Sequence, residues 1–251
     1  IVPPNSFLAS AAAVELVGAK TVFADVAWDY NLDPTEVERK ITSKTKAIMV
    51  VHLTGNPCEM DPIQALADKH GLKVIEDAAQ AVGARYKGKR VGSLGTTGCF
   101  SLHPLKNLHV WGDGGMITTD DETLAQQLRL QRNHGLKNRD ESEFFSYNSR
   151  LDTFQAVVGN AFLELLPETT RLRQENAKFY SSQLQDLDGT FLRLPTTQNH
   201  SESVFHVFQI WTQRRDELKH FLESNGVETK IHYPVPIHLQ VAAKGLGYRQ
   251  G

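Results

Sequence analysis

Phe100-Ser101-Leu102-His103-Pro104-Leu105-Lys106-Asn107 decides how this chain is read. Gly98 to Leu102 is an apolar run of strand length, and the proline-containing turn that closes it carries a lysine. Upstream lies Val74-Ile75-Glu76-Asp77-Ala78-Ala79-Gln80-Ala81, where Leu72 to Ile75 forms a second apolar run, broken by one lysine and closed by Asp77. In an α/β sheet, functional groups gather in the crevice beyond the carboxyl ends of parallel strands. The two runs therefore deliver an acid and a lysine to one edge of a sheet.

The flanking sequence alternates in the same manner. Leu8 to Val17 is alanine-rich and helical in propensity, stops at Gly18 and precedes a short strand at Thr21 to Ala24. Pro34 opens a helix through Ile41, Ala47 to Leu53 reads as a buried strand, Pro62 to His70 as a helix ended by Gly71, and Gly115 to Thr119 as a further strand. The pattern predicts a mostly parallel sheet with helices on its faces. From Ser149 the character changes. Leu151 to Leu187 is a long helical stretch interrupted at Pro167. It is followed by β-prone Phe205 to Trp211, a helix at Arg215 to Asn225 stopped by Gly226, and a strand near Glu228 to His232. A large domain over residues 1–185 and a smaller α+β domain over 186–251 are the expected division.

Composition narrows the function classes. The 251 residues are 40% hydrophobic and 22% charged with a formal net charge of −2, as in an ordinary globular protein. There is neither the basic excess that nucleic acid demands nor an apolar run of membrane-spanning length. The two cysteines, Cys58 and Cys99, have no metal-type or redox-type spacing. Cys99 reads as a core thiol, and a cytoplasmic location without a signal peptide is expected. The chain opens at Ile1-Val2-Pro3 inside a strand-to-turn pattern and stops at Gly247-Tyr248-Arg249-Gln250-Gly251, so it reads as part of a longer protein.

An acid and a lysine at one sheet edge suit pyridoxal 5'-phosphate. The amine forms a Schiff base with its aldehyde, and the carboxylate pairs with its pyridinium nitrogen and keeps it protonated. Each residue also has a plainer use, the lysine on the surface and the aspartate as a turn former or helix cap. The neighbouring blocks weigh against that. Gly55-Asn56-Pro57, Glu76-Asp77-Ala78-Ala79-Gln80-Ala81, Gly83-Ala84-Arg85-Tyr86-Lys87-Gly88, Gly112-Asp113-Gly114-Gly115, Arg132-Asn133-His134-Gly135 and Tyr147-Asn148-Ser149-Arg150-Leu151 occur in this order. Together they resemble the DegT/DnrJ/EryC1/StrS family of pyridoxal-phosphate-dependent sugar aminotransferases over essentially the whole chain.

The resemblance implies the α/β architecture of fold type I, and it assigns roles. Lys106 would be the catalytic lysine. Asp77 would meet the pyridine nitrogen, and Gln80, one helical turn away, would lie beside the phenolic oxygen. Ser101 would donate to the phosphate and Phe7 would stack on the ring. Asn148 would reach the phosphate from the partner subunit, which implies a homodimer with shared active sites. Ser146 stands where the family has a glycine. Relatives with histidine in place of the lysine catalyse dehydration, so Lys106 keeps the aminotransferase reading. His103 and His109 flank the lysine without a metal-site spacing, and Gly112 to Gly115 reads as a turn because it lacks a strand–GxGxxG–helix setting. The family's main phosphate cradle, a Gly-Thr segment at a helix N-terminus, would precede residue 1. The implied reaction moves an amino group from glutamate or glutamine to a nucleotide-linked keto sugar. A keto-inositol acceptor, or a non-catalytic relative that binds cofactor or sugar, is the alternative.

Overall fold

Local chemistry sets the first elements of the computed structural model, which describes residues 1–250. Helix α1 (Ala9–Leu16) follows the Ala-rich run, and α2 (Pro34–Lys40) starts where Asp33 accepts the Thr35 N–H at 2.8 Å with proline at its first position. Strand β1 (Ala47–Val51) comes next, then α3 (Met60–His70), which ends at Gly71 in the left-handed conformation, φ 64°. Strand β2 (Lys73–Asp77) is followed by the short strands β3 (Arg85–Tyr86) and β4 (Lys89–Arg90), and by β5 (Thr97–Ser101) and β6 (Gly115–Thr118). Helices α4 (Glu122–Gln131) and α5 (Thr153–Leu184), strand β7 (Ser201–Glu202) and helix α6 (Arg215–Ser224) complete the order.

The central sheet runs β1-β2-β5-β6. The pairs β1–β2 and β2–β5 are parallel and β5–β6 is antiparallel, so the sheet is mostly parallel, as its alternating sequence requires. Its register places Val51, Asp77 and Cys99 side by side, which brings Asp77 to the carboxyl edge. Ile48 and Val50 of β1 and Val74 of β2 pack with Val37 of α2 and with Ile63 and Ala67 of α3 in one buried cluster. Each such aliphatic side chain contributes roughly 1.5–3 kcal/mol. A smaller antiparallel sheet, β4-β3-β7, ties the chain after residue 200 to the hairpin at residues 85–90.

Glu76 is fully buried beside the functional edge. Its carboxylate accepts from His52 Nε2 at 3.0 Å and from the backbone N–H groups of Gly92, Leu94 and Gly95 at 2.6–2.8 Å. The Cys58 N–H donates to His52 Nδ1, so the imidazole carries its hydrogen on Nε2. Burial works to raise the Glu76 pKa, yet the His52 bond and the backbone donors hold it below the usual carboxylate value.

Several expectations are corrected. Residues 21–24 form no strand; Phe23 makes a single parallel bridge to Val2. Asp77 and Gln80, expected one helical turn apart, stand instead before and within a chain of turns over residues 78–84, closed by Ala81 N–H to Ala78 O and Ala84 N–H to Ala81 O. The Asp77 side chain takes up the Ala79 N–H there, the Gln80 side chain reaches instead to the Thr54 N–H, and Gly83 turns left-handed at φ 88°. Pro167 does not interrupt α5, which runs for 32 residues, because adjacent Leu166 is locked into a cluster with Leu102, Leu108 and Val110. Phe205 to Trp211 and Glu228 to His232 are not strands; only Trp211 makes a bridge, to Arg193. Cys58 is the fully buried thiol and Cys99 is half-buried. Among the described residues no helix is long and apolar enough to cross a membrane.

Candidate active site

Asp77 ends β2 with both carboxylate oxygens engaged. Ser10 Oγ, from α1, donates to Oδ2 at 2.7 Å, and the Ala79 N–H donates to Oδ1 at 3.1 Å. The group is thereby aimed, and it remains half-exposed at the edge of the sheet. Lys106 sits in the turn beyond β5, where its own N–H bonds His103 O at 2.9 Å. Burial lowers the pKa of its amine and the Asp77 charge opposes that shift, so acid and lysine share one electrostatic environment.

Gln80 is buried and holds two parts of the site together. Its Oε1 accepts the Thr54 N–H at 2.6 Å, and its Nε2 reaches the Tyr233 hydroxyl at 3.4 Å. Tyr233 packs on Phe7, with ring centroids 5.8 Å apart, while Phe7 keeps an exposed surface. Burial, followed by the Asp77 charge, pushes the Tyr233 phenol up. Asp77, Gln80, Lys106 and Phe7 are thus assembled from three separate stretches of sequence.

Two expected site residues stand apart. Ser101 is at the carboxyl end of β5, where its Oγ accepts the His103 N–H at 3.3 Å. Its hydroxyl hydrogen donates to no protein acceptor among the described residues and stays available for a ligand. Asn148 is exposed on the segment before α5, bridged to Asn133, with its Oδ1 accepting from Arg150 Nε at 3.0 Å. It shares no hydrogen bond with Asp77, Gln80 or Lys106 of its own chain.

Sequence reading missed Ser10, Tyr233, His206 and His232. Burial and then the Lys106 charge lower the His232 pKa, and the same two causes, joined by Arg173 and His232, bring His206 to about 3. Only their polarity in otherwise apolar or turn-like stretches marked them. Their hydrogen-bond partners lie far off in the sequence, 67 residues away for Ser10 and Asp77, 99 for His206 and Asn107, and 153 for Tyr233 and Gln80.

The donor set answers a ring cofactor with an aldehyde. An oriented carboxylate suits a ring N–H, an amine of lowered pKa suits a carbonyl carbon, an open aromatic face suits a ring, and a free hydroxyl suits a phosphate. Those residues fit pyridoxal phosphate.

A model of the DegT/DnrJ/EryC1/StrS aminotransferase family matches residues 1–250. The chain is 44% identical over 246 residues to a dTDP-3-amino-3,4,6-trideoxy-α-D-glucose transaminase of Streptomyces venezuelae, covering 98% of this chain and 64% of that protein. It is 45% identical over 241 residues to a UDP-N-acetyl-3-dehydro-α-D-glucosamine 3-aminotransferase of Acidithiobacillus ferrooxidans, covering 96% and 64%. The crystal structure of DesV from S. venezuelae, in complex with a ketimine intermediate, superposes with a TM-score of 0.95 at 42% identity, covering 100% of this chain and 67% of that one. The chain thus spans about two thirds of the length of these relatives. Its sheet and flanking helices are those of fold type I, and it belongs to the DegT/DnrJ/EryC1/StrS aminotransferase family.

Proposed function

We propose that this protein is a pyridoxal-phosphate-dependent aminotransferase that moves an amino group from glutamate or glutamine to a nucleotide-linked keto sugar. The observation that carries the reading is the pairing of a half-buried Lys106 amine with a Ser10-held Asp77 carboxylate at one sheet edge. The relatives, whose names specify dTDP-linked and UDP-linked sugars, support the substrate class.

When bound, the cofactor supplies an aldehyde carbon that carries the amino group and a protonated ring that draws off electron density. The chain supplies the rest. Asp77, held by Ser10 and Ala79, keeps a negative charge at the ring nitrogen. Lys106 is the group that binds the aldehyde, and its amine, once free, moves the proton at the reacting carbon. Phe7 offers a face to the ring, Gln80 orients the polar edge through Thr54 and Tyr233, and Ser101 donates toward the phosphate.

Asn148 would complete the phosphate end of the neighbouring subunit in a homodimer. Its exposure, and that of nearby Phe145, Tyr147 and Phe154, supports a covered face there. The cytoplasm is the proposed compartment, as suits free thiols at Cys58 and Cys99. Half-reactions test the reading. Loaded with cofactor, the protein should convert glutamate or glutamine to the keto acid, then pass the amino group to members of a panel of dTDP- and UDP-linked keto sugars. Amination of a keto-inositol alone, or no amino transfer with cofactor bound, would count against it.

A further inference from the structure

Asn107 and His206 are not needed to assign the reaction, yet they meet directly behind its lysine. Asn107, which follows Lys106, is buried and donates from Nδ2 to Val204 O at 3.2 Å. That bond sets the orientation of its amide, so the oxygen faces His206 Nδ1 at 3.1 Å. The imidazole must therefore donate from Nδ1, which leaves the lone pair of a neutral ring on Nε2. Burial, the Lys106 charge, and then Arg173 and His232 keep the ring neutral down to about pH 3.

The backbone around His206 is held firmly. Arg173 of α5 donates to both Phe205 O and His206 O at 3.1 Å, and Gln174 donates to Ser203 O at 2.9 Å. On the other side the Val204 and Val207 N–H groups bond Gly55 O and Thr54 O. Phe205 adopts φ 44°, a left-handed conformation that a bulky residue tolerates only when its surroundings impose it. A strained, many-bonded segment thus presents one imidazole N–H to the residue next to the lysine.

We propose that Asn107 and His206 form a positioning pair: the Nδ1–H of His206, fixed through Arg173 and Val204, holds the Lys106–Asn107 turn so that the amine meets the cofactor's aldehyde carbon. In that step the uncharged amine forms the carbon–nitrogen bond, and its two hydrogens leave with the aldehyde oxygen as water. The inference rests on the proposed cofactor. It assigns His206 no contact with substrate, only the placing of Lys106.

Two probes separate placement of the lysine from general support of the pocket. Pyridoxal phosphate must bond Lys106 to produce the absorbance of the lysine-bound cofactor. Pyridoxamine phosphate has no aldehyde and binds without that bond. With cofactor-free protein, His206→Leu should slow the appearance of the absorbance about tenfold or more, while pyridoxamine phosphate affinity stays within about threefold of the parent. His206→Asn, whose amide N–H stands near the Nδ1 position, should restore the rate, and His206→Gln, whose N–H lies nearer the Nε2 position, should not. Should the leucine variant fail to fold, the asparagine–glutamine comparison decides. The proposal is overturned if His206→Leu bonds pyridoxal phosphate at the parental rate, if both probes weaken by the same factor, or if the asparagine variant is no faster than the glutamine one. A parent protein that takes up neither probe would overturn the functional reading itself; a parent that takes up both, with indifferent variants, would overturn only the positioning role.

Discussion

A lysine attacks a carbonyl only while its amine is uncharged, and burial brings Lys106 nearer that condition while Asp77 holds it back. Asp77 therefore has a second duty, pairing with the ring nitrogen. Asp77→Asn keeps the shape and the Ser10 contact but removes the charge. It should leave cofactor binding measurable and slow single-turnover proton transfer by more than about tenfold, roughly 1.4 kcal/mol of barrier. A smaller change would mean that Asp77 only shapes the turn. His206 gives a pH prediction. Its pKa falls from 6.5 to about 3 on folding, under burial and the Lys106, Arg173 and His232 charges. Between those values the unfolded chain binds a proton that the folded chain refuses, so stability must fall as pH drops through that window. Urea unfolding should show the parent losing more stability from neutral pH toward pH 4 than His206→Asn, which has no titrating ring. Equal losses would show that the imidazole does not carry this acid sensitivity.

Elements were legible where one stretch of sequence contains its own reason. Strands β2 and β5 are apolar runs closed by polar residues, and α2 and α3 carry their own caps or stops in Asp33 and Gly71. Asp77 was legible with them because it ends β2, and Lys106 because the proline-containing turn that follows β5 carries it to the same edge. Asp77 and Gln80 are three positions apart, a spacing that suits a helix and a succession of turns equally, and the turns win where Asp77 bonds the local Ala79 N–H and Gln80 is drawn to the distant Thr54 N–H. Phe205 to Trp211 reads as a strand by its alternation, but the partners of Val204, His206 and Val207 are Thr54, Gly55 and Asn107, far upstream. His206 and Tyr233 were hidden for the same reason. Gly55 is where this long-range contact is most sensitive. At φ 92°, an added Cβ would stand 2.8 Å from Val204 Cγ2, 2.9 Å from His206 N and 3.1 Å from Gln80 O. Gly55→Ala should cost more than about 2 kcal/mol in unfolding free energy and also slow bonding of pyridoxal phosphate. Retained stability with a normal rate would show that the 203–207 segment is not seated as described.

At the scale of the whole molecule, the open question is whether one chain makes a complete site. Asp77, Gln80, Lys106 and Phe7 gather in one subunit, while Asn148 faces outward. A two-fold interface is isologous, so each subunit would lend Asn148 to the other. Mixing Lys106→Ala with Asn148→Asp protomers tests this, because the aspartate sets a charge against the phosphate. In the mixed dimer the site with the intact lysine would receive an intact Asn148, so about one working site per mixed dimer should reappear. Activity that never exceeds either parent, despite proven subunit exchange, would place Asn148 outside the shared site.

The central claim is that Lys106 is the residue that bonds pyridoxal phosphate, and chemical trapping tests it most directly. The cofactor-loaded protein is reduced with borohydride, digested, and its peptides are weighed. The expected result is loss of the visible absorbance and a stable phosphopyridoxyl group on the peptide containing Lys106, absent from Lys106→Ala. A cofactor adduct on another lysine, or bound cofactor that leaves every lysine unmodified after reduction, would contradict the assignment.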